Sequence, residues 1–239
     1  VSLPRQGSGR RLSAPFIWIL LILGMVLAPS DLPAQTTSLG GPGFSIARLR
    51  YGGGGDWYSN ASSLPNLARA VQKRTSVAVD QIDEVKVSIL DSDFFNYPYV
   101  YMNGHGTVRF TEAEVERLRR YLMAGGFLFA DDNYGMDESF RKEIARVLPD
   151  RSLVEVPFSH PIYHCFYDLP NGPPKVHEHD AKPSQGLGIF DGDRLMVFYT
   201  YESDVGDGIE DKNVHDNPPE VREAAMQMAV NTVIYAMTH

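Results

Sequence analysis

Carboxylates and imidazoles stand in this chain where apolar runs stop. Asp56 follows the run Phe44 to Tyr51 and four glycines. Asp91 and Asp93 follow Val85, Val87 and Ile89. His105 sits in Asn103-Gly104-His105-Gly106, directly after Tyr99 to Met102. Asp131 and Asp132 follow Phe127 to Ala130. His160 and His164 follow Leu153 to Phe158, and Glu202, Asp204 and Asp207 follow Leu195 to Thr200. Imidazole and carboxylate are the ligand types of zinc, iron and manganese sites. A divalent transition metal is therefore the cofactor these residues point to, with His105, His160 and His164 as its candidate ligands. On a helix, His160 and His164 would share a face, but Pro161 lies between them, so a turn is expected there. His177 and His179 alternate, and in an extended segment they would share a face and could join the others. No H-E-x-x-H run or cysteine zinc pattern occurs. The plainer alternative is that His105 caps a turn and His160 makes structural hydrogen bonds.

Asp131 and Asp132 are the candidate catalytic pair. Neighbouring carboxylates can raise one another's pKa and so create an acid. Equally, one of them could cap the helix that follows. Nucleophilic catalysis finds less support. Cys165 adjoins His164, but adjacent residues of a strand face opposite ways, and neither a nucleophile elbow nor G-x-S-x-G is present. A buried, inert thiol is the expectation. The run Gly52 to Gly55 lacks the Gly-Lys-Ser/Thr ending of a phosphate loop and the G-x-G-x-x-G spacing, so no nucleotide cofactor is expected. Gly53, Gly54, Asp56 and Trp57 are instead candidates for ligand binding through close backbone approach. Trp57 and Tyr58 could pack over a rim or stack on a sugar. Asp204 and Asp207 complete the ligand-binding candidates.

Positioning these groups requires a scaffold. Leu64, Leu67, Ala68 and Val71 follow helical spacing, with Pro65 in the first turn. Thr111 and Glu114 form a capping box, Val115, Leu118 and Leu122 make the buried stripe behind it, and Gly125-Gly126 ends that helix. Asp137 can cap a helix with Phe140, Ile144, Val147 and Leu148 on its apolar face. A last helix begins at Asn217-Pro218-Pro219-Glu220 and runs toward Tyr235. Short apolar strands alternating with amphipathic helices predict an α/β fold with a mostly parallel sheet covered on both faces. In such a sheet ligands bind beyond the carboxyl ends of the strands, and the polar residues above all follow strands. The segment Asp168 to Gly192, rich in Pro, Gly and His, is expected to be a long functional loop.

Arg5, Arg10 and Arg11 precede an apolar stretch from Phe16 to Ala28. That stretch is short for a membrane span, which needs ~20 apolar residues. Residues 1–35 therefore match a secretory signal peptide or a retained N-terminal anchor, residues 36–43 a linker, and residues 44–239 one domain. Export to the periplasm or cell envelope is expected, with membrane contact only through a retained N-terminal segment. The net charge of −8 leaves no basic stripe to neutralise phosphates, which argues against a nucleic-acid partner. The single cysteine excludes an intramolecular disulfide.

Several strings carry a family resemblance. They are Phe44-Ser45-Ile46-Ala47-Arg48-Leu49-Arg50-Tyr51 with the glycines and Asp56-Trp57-Tyr58, Tyr101-Met102-Asn103-Gly104-His105-Gly106, Gly125-Gly126-Phe127-Leu128-Phe129-Ala130-Asp131-Asp132, Ser159-His160-Pro161-Ile162-Tyr163-His164 and Asp204-Val205-Gly206-Asp207-Gly208. In this order they resemble the bacterial domain-of-unknown-function family numbered 4159. That family is thought similar to the class I glutamine amidotransferase-like superfamily, including ThuA-like proteins. The resemblance implies a flavodoxin-like three-layer α/β/α fold and a bacterial envelope setting, but no established reaction. Amidotransferases place a nucleophilic cysteine after the strand that here ends at Ala130. Asp131 and Asp132 stand there instead, which argues against glutamine hydrolysis by that route.

The expected function is binding of a small polar ligand or a metal ion at the strand-end rim, with metal-assisted hydrolysis as the reaction those groups suit. The alternative is a non-catalytic module that recognises an envelope protein partner, presenting aromatics around Trp57, Tyr97, Tyr99 and Tyr163.

Overall fold

A computed structural model describes residues 43–239. The export segment expected over residues 1–35, and the linker apart from Gly43, lie outside the described residues. Among the described residues seven strands form one sheet: β1 (Ala47–Arg50), β2 (Val85–Ser88), β3 (Tyr99–Gly104), β4 (Phe127–Asp132), β5 (Val154–Glu155), β6 (Gln185–Asp191) and β7 (Arg194–Tyr201). Their spatial order is β2-β1-β3-β4-β7-β6-β5. The pairs from β2 to β7 are parallel, whereas β6 runs antiparallel to both β7 and β5. The fold is thus α/β, mostly parallel, with an antiparallel edge.

The helices are α1 (Ser63–Arg74), α2 (Glu112–Met123), α3 (Asp137–Val147), the single turns α4 (Val205–Gly208) and α5 (Lys212–His215), and α6 (Pro219–Thr238). Strand side chains alternate between two clusters, as the two-residue repeat of a strand dictates. Leu49, Val100, Met102, Leu128 and Ala130 pack with Leu118 of α2 and Phe140 of α3. Ile46, Tyr99, Tyr101, Phe127 and Phe129 pack with Leu64 and Leu67 of α1 and Met228 and Val233 of α6. Burial on both faces explains why these strands read as continuous apolar runs. Leu118 is wholly buried, and truncating it to alanine would cost about 2–5 kcal/mol.

The capping box that starts α2 is present: Glu114 N–H donates to Thr111 Oγ1 (3.3 Å), and Thr111 N–H donates to Glu114 Oε2 (2.7 Å). Elsewhere the local chemistry differs from expectation. Met136, not Asp137, occupies the N-cap of α3. The Asp137 carboxylate instead accepts from the Tyr199 hydroxyl (2.9 Å) and from Arg141 (2.7 Å). The strand expected over Leu153 to Phe158 shrinks to two residues; Val156 N–H still donates to Gly186 O (2.9 Å), and Pro157, which has no N–H for a ladder, comes next. β6 occupies part of the segment expected to be loop. Its Gly186 and Gly188 are open to side chains from elsewhere: a Cβ at Gly186 would meet the Tyr163 hydroxyl and the Phe198 ring, and one at Gly188 would meet Leu195 and Val156. Glycine depresses the strand signal, but here it makes room for packing.

Candidate functional site

The site is built on the carboxyl end of β4. Asp131 is fully buried. It accepts from Thr200 Oγ1 (2.5 Å) and from the backbone N–H groups of Val205 (3.2 Å) and Gly206 (2.6 Å). These bonds fasten the turn that follows β7 against the end of β4. Burial drives the Asp131 carboxyl up to about 7; the bonds from Thr200 and Gly206 oppose this, and the charges of Asp204 and Asp207 add to it. Gly206 permits the close approach, since a Cβ there would meet Asn60 Nδ2 and the Tyr101 hydroxyl.

That fastened turn presents two carboxylates. Asp204 has left-handed backbone (φ 58°), as does Glu202 (φ 56°), conformations uncommon outside glycine. Asp204 is fully buried. Its Oδ2 lies 2.5 Å from His179 Nε2 and 3.2 Å from His177 Nδ1, while its Oδ1 is buried with no hydrogen-bond partner among the described residues. Burial raises the Asp204 carboxyl to about 8, with Asp207 the next contributor. Asp207, on α4, turns Oδ2 toward His177 Nδ1 (3.0 Å) and His215 Nε2 (3.7 Å). Its Oδ1 accepts from Asn60 Nδ2 (2.6 Å) and Asn133 Nδ2 (2.8 Å).

The imidazoles come from two further segments. His177 and His179 ride on the strap before β6. That strap is tied to the turn after β7 by Val176 N–H donating to Ser203 O (2.9 Å), Ser203 Oγ donating to Pro174 O (2.6 Å), and Lys175 pairing with the buried Glu202 (2.6 Å). His177 reaches Asn217 Oδ1 through Nε2 (3.1 Å). The His179 ring stacks on Tyr134, 4.7 Å between centroids at 23°. Tyr134 itself carries φ 111°, an outlier for a bulky residue and of the kind that collects at functional sites. His215 comes from α5 and also meets Glu210 Oε2 at 2.9 Å.

Ligand atoms of His177, Asp207 and His215 all lie within 4.8 Å of one another. Two imidazoles and a carboxylate at this separation need only small adjustments to surround one ion with bonds of about 2.0–2.2 Å. Softer imidazole nitrogens suit zinc, iron or manganese better than calcium.

The residues singled out by sequence fall into three places. Asp131, Asp204 and Asp207 lie at this centre, and His177 and His179 of the loop join them. Asp132 stands beside it with its carboxylate engaged in the turn into α3. It accepts from Tyr134 N–H (2.9 Å), Met136 N–H (3.0 Å) and the Tyr199 hydroxyl (3.3 Å), and its pKa is raised chiefly by burial.

His105 pairs with Asp56 beyond β3: Nδ1 lies 3.1 Å from Asp56 Oδ2, and the His105 N–H also donates to that carboxylate. Gly53 and Gly54 have positive φ and Gly53 lies against the backbone of Thr107 to Arg109. Trp57 is half-buried, edge-on to Tyr58 at 5.5 Å. Gly53, Gly54, Asp56, Trp57 and His105 form a second cluster on the loops after β1 and β3.

His160 and His164 sit together elsewhere. The His160 ring packs against Phe190 and Tyr235 (5.5 and 5.4 Å), near the C-terminal end of α6, and burial lowers its pKa. His164 has both ring nitrogens engaged, by Asp168 (2.6 Å) and Phe158 O (2.6 Å). The latter bond is the main cause of its raised pKa. The Cys165 thiol is half-buried, faces Asn231 O (3.3 Å) and is pushed up to about 11 by burial. Among the described residues, the converging group of three includes none of His105, His160 and His164.

No helix among the described residues is long and apolar enough to cross a membrane. No curated protein matches the chain. Residues 45–237 match the family model described as domain of unknown function (DUF4159), and the chain belongs to that family.

Proposed function

We propose that the strand-end rim binds a divalent transition metal through His177, Asp207 and His215, and that the bound metal serves hydrolysis of a small polar substrate. The convergence of those three side chains carries the proposal. A metal in this place would polarise a substrate oxygen or a bound water. Asp204 and His179, paired beside the ligands, are the groups placed to take and return a proton. The buried, unpartnered Asp204 Oδ1 favours a further donor or cation at the centre, because such an atom is costly when left alone.

The order β2-β1-β3-β4-β7 supports a flavodoxin-like three-layer α/β/α arrangement and, through the resemblance, kinship with ThuA-like, amidotransferase-like proteins. Asp131 in place of a cysteine argues for different chemistry. The basic and then apolar residues from Arg5 to Ala28 support export to the periplasm or envelope.

The test is elemental mass spectrometry of chain purified without a histidine tag, with His177→Ala and His215→Ala alongside. Near-stoichiometric zinc, iron or manganese in the wild type, lost in both variants, is expected. A wild type that holds no metal after reconstitution would overturn the proposal and favour recognition of an envelope protein partner.

A further inference from the structure

A chain of hydrogen bonds leads from Asp207 back to a buried arginine. Arg48, on β1, is fully buried. Its Nε donates to Glu84 (2.6 Å), and its terminal nitrogens donate to Ser59 O (2.9 Å), Asn60 O (3.1 Å) and Asn103 Oδ1. A guanidinium only donates. The Asn103 amide must therefore turn its oxygen to Arg48, which leaves its Nδ2 to donate to Asn133 Oδ1 (3.1 Å) and Ser59 Oγ (2.9 Å). Asn133 is then obliged to present its own Nδ2 to Asp207 Oδ1 (2.8 Å). Amide orientations are usually ambiguous; here the arginine at the head of the chain dictates them. Asn60, whose carbonyl Arg48 also holds, brings a second Nδ2 to the same oxygen (2.6 Å).

We infer that Arg48, Asn103, Asn133 and Asn60 form a directional hydrogen-bond relay that positions Asp207 as a metal ligand, saturating Oδ1 with two donors so that Oδ2 alone faces His177 and His215. The inference rests on the metal assignment above. It makes the four residues positioning residues, none of which touches the ion. Partners of this kind that orient metal ligands typically change affinity by roughly 10–100-fold when removed.

The test is titration of the whole chain with Co²⁺, read by its visible absorption, in wild type, Asn60→Gly, Asn133→Ala and Thr111→Ala. Asn60 has φ 57°, which glycine adopts without strain, so that variant keeps the fold if Asn133→Ala does not. Thr111→Ala removes a cap far from the relay and serves as a generally destabilised control. The expected result is a Kd about 10–100-fold weaker for each asparagine variant, with a changed absorption envelope, and an unchanged Kd for Thr111→Ala. Folded asparagine variants that bind Co²⁺ as tightly as wild type, with the same spectrum, would overturn the relay and leave the metal assignment standing. A wild type that binds no Co²⁺ would overturn the metal assignment itself, and the relay with it.

Discussion

Asp207 divides its carboxylate between two tasks: Oδ2 lies 3.0 Å from His177 Nδ1, and Oδ1 accepts from two asparagine amides. One oxygen is committed to the protein and the other faces the histidines. This asymmetry is what a single-ion centre requires of a monodentate ligand.

Metal binding should appear as stability. A ligand present at a hundred times its Kd adds about 2.7 kcal/mol, which for a domain of this size is on the order of 5–10 °C in Tm. Differential scanning fluorimetry with Zn²⁺, against a chelated sample, reads this directly. His215→Ala should melt at one temperature in both conditions. A Zn²⁺ shift that survives in His215→Ala would place the ion elsewhere.

Asp131 makes the metal-free protein sensitive to pH. Its carboxyl lies at about 7 folded against an ordinary 3.8. The folded state therefore holds the proton more tightly, and the associated stability is full below pH 3.8 and is lost as pH rises through about 7. Melting temperatures in chelator should fall across that window on its account. In Asp131→Asn this part of the slope should vanish, and a slope equal to wild type would assign the dependence to other groups.

Arg48 is predicted to be a major stability residue. Arg48→Met strands the acceptors of Asn60 and Asn103 in a buried setting and those of Glu84 and Ser59 in a part-buried one. Breaking a buried pair in this way costs about 3–5 kcal/mol. Urea denaturation should show that loss with little change in m-value. A loss under 1 kcal/mol would mean that water replaces the guanidinium.

Tyr134 tests strain against contact. Its φ of 111° carries about 1–3 kcal/mol of backbone strain, which Tyr134→Gly should relieve, raising the Tm of the metal-free protein. A lower Tm would show that the stack on His179 and the 3.4 Å contact of its hydroxyl with Asp180 outweigh the backbone term.

The strand-end rule singles out Asp131 because it directly follows an apolar run that is buried on both faces, and Asp204 and Asp207 because they lie in the turn after the apolar run of β7. His177 and His179 were legible as an alternating pair, and both rings reach Asp204 Oδ2. His215 was not legible. It sits in a charged segment with no apolar period, and only the fold brings it beside His177, 5.2 Å between ring centroids. Arg48 was hidden by the opposite effect: in an apolar strand a lone arginine reads as an outward-facing residue, and its partners lie as far as 55 positions away. β6 escaped because glycines that receive neighbouring side chains look like breakers in one dimension.

The reversed direction of β6 has an architectural consequence. In the parallel strands only the departing chain stands on the functional rim. β6 starts at that rim, its Gln185 paired with Tyr201 at the end of β7, so the chain entering β6 stands there as well. The His177–His179 strap is therefore an insertion point on the working side of the sheet that no crossover helix has to span. Relatives with a longer or shorter strap could reshape the mouth of the centre while every parallel pairing keeps its register.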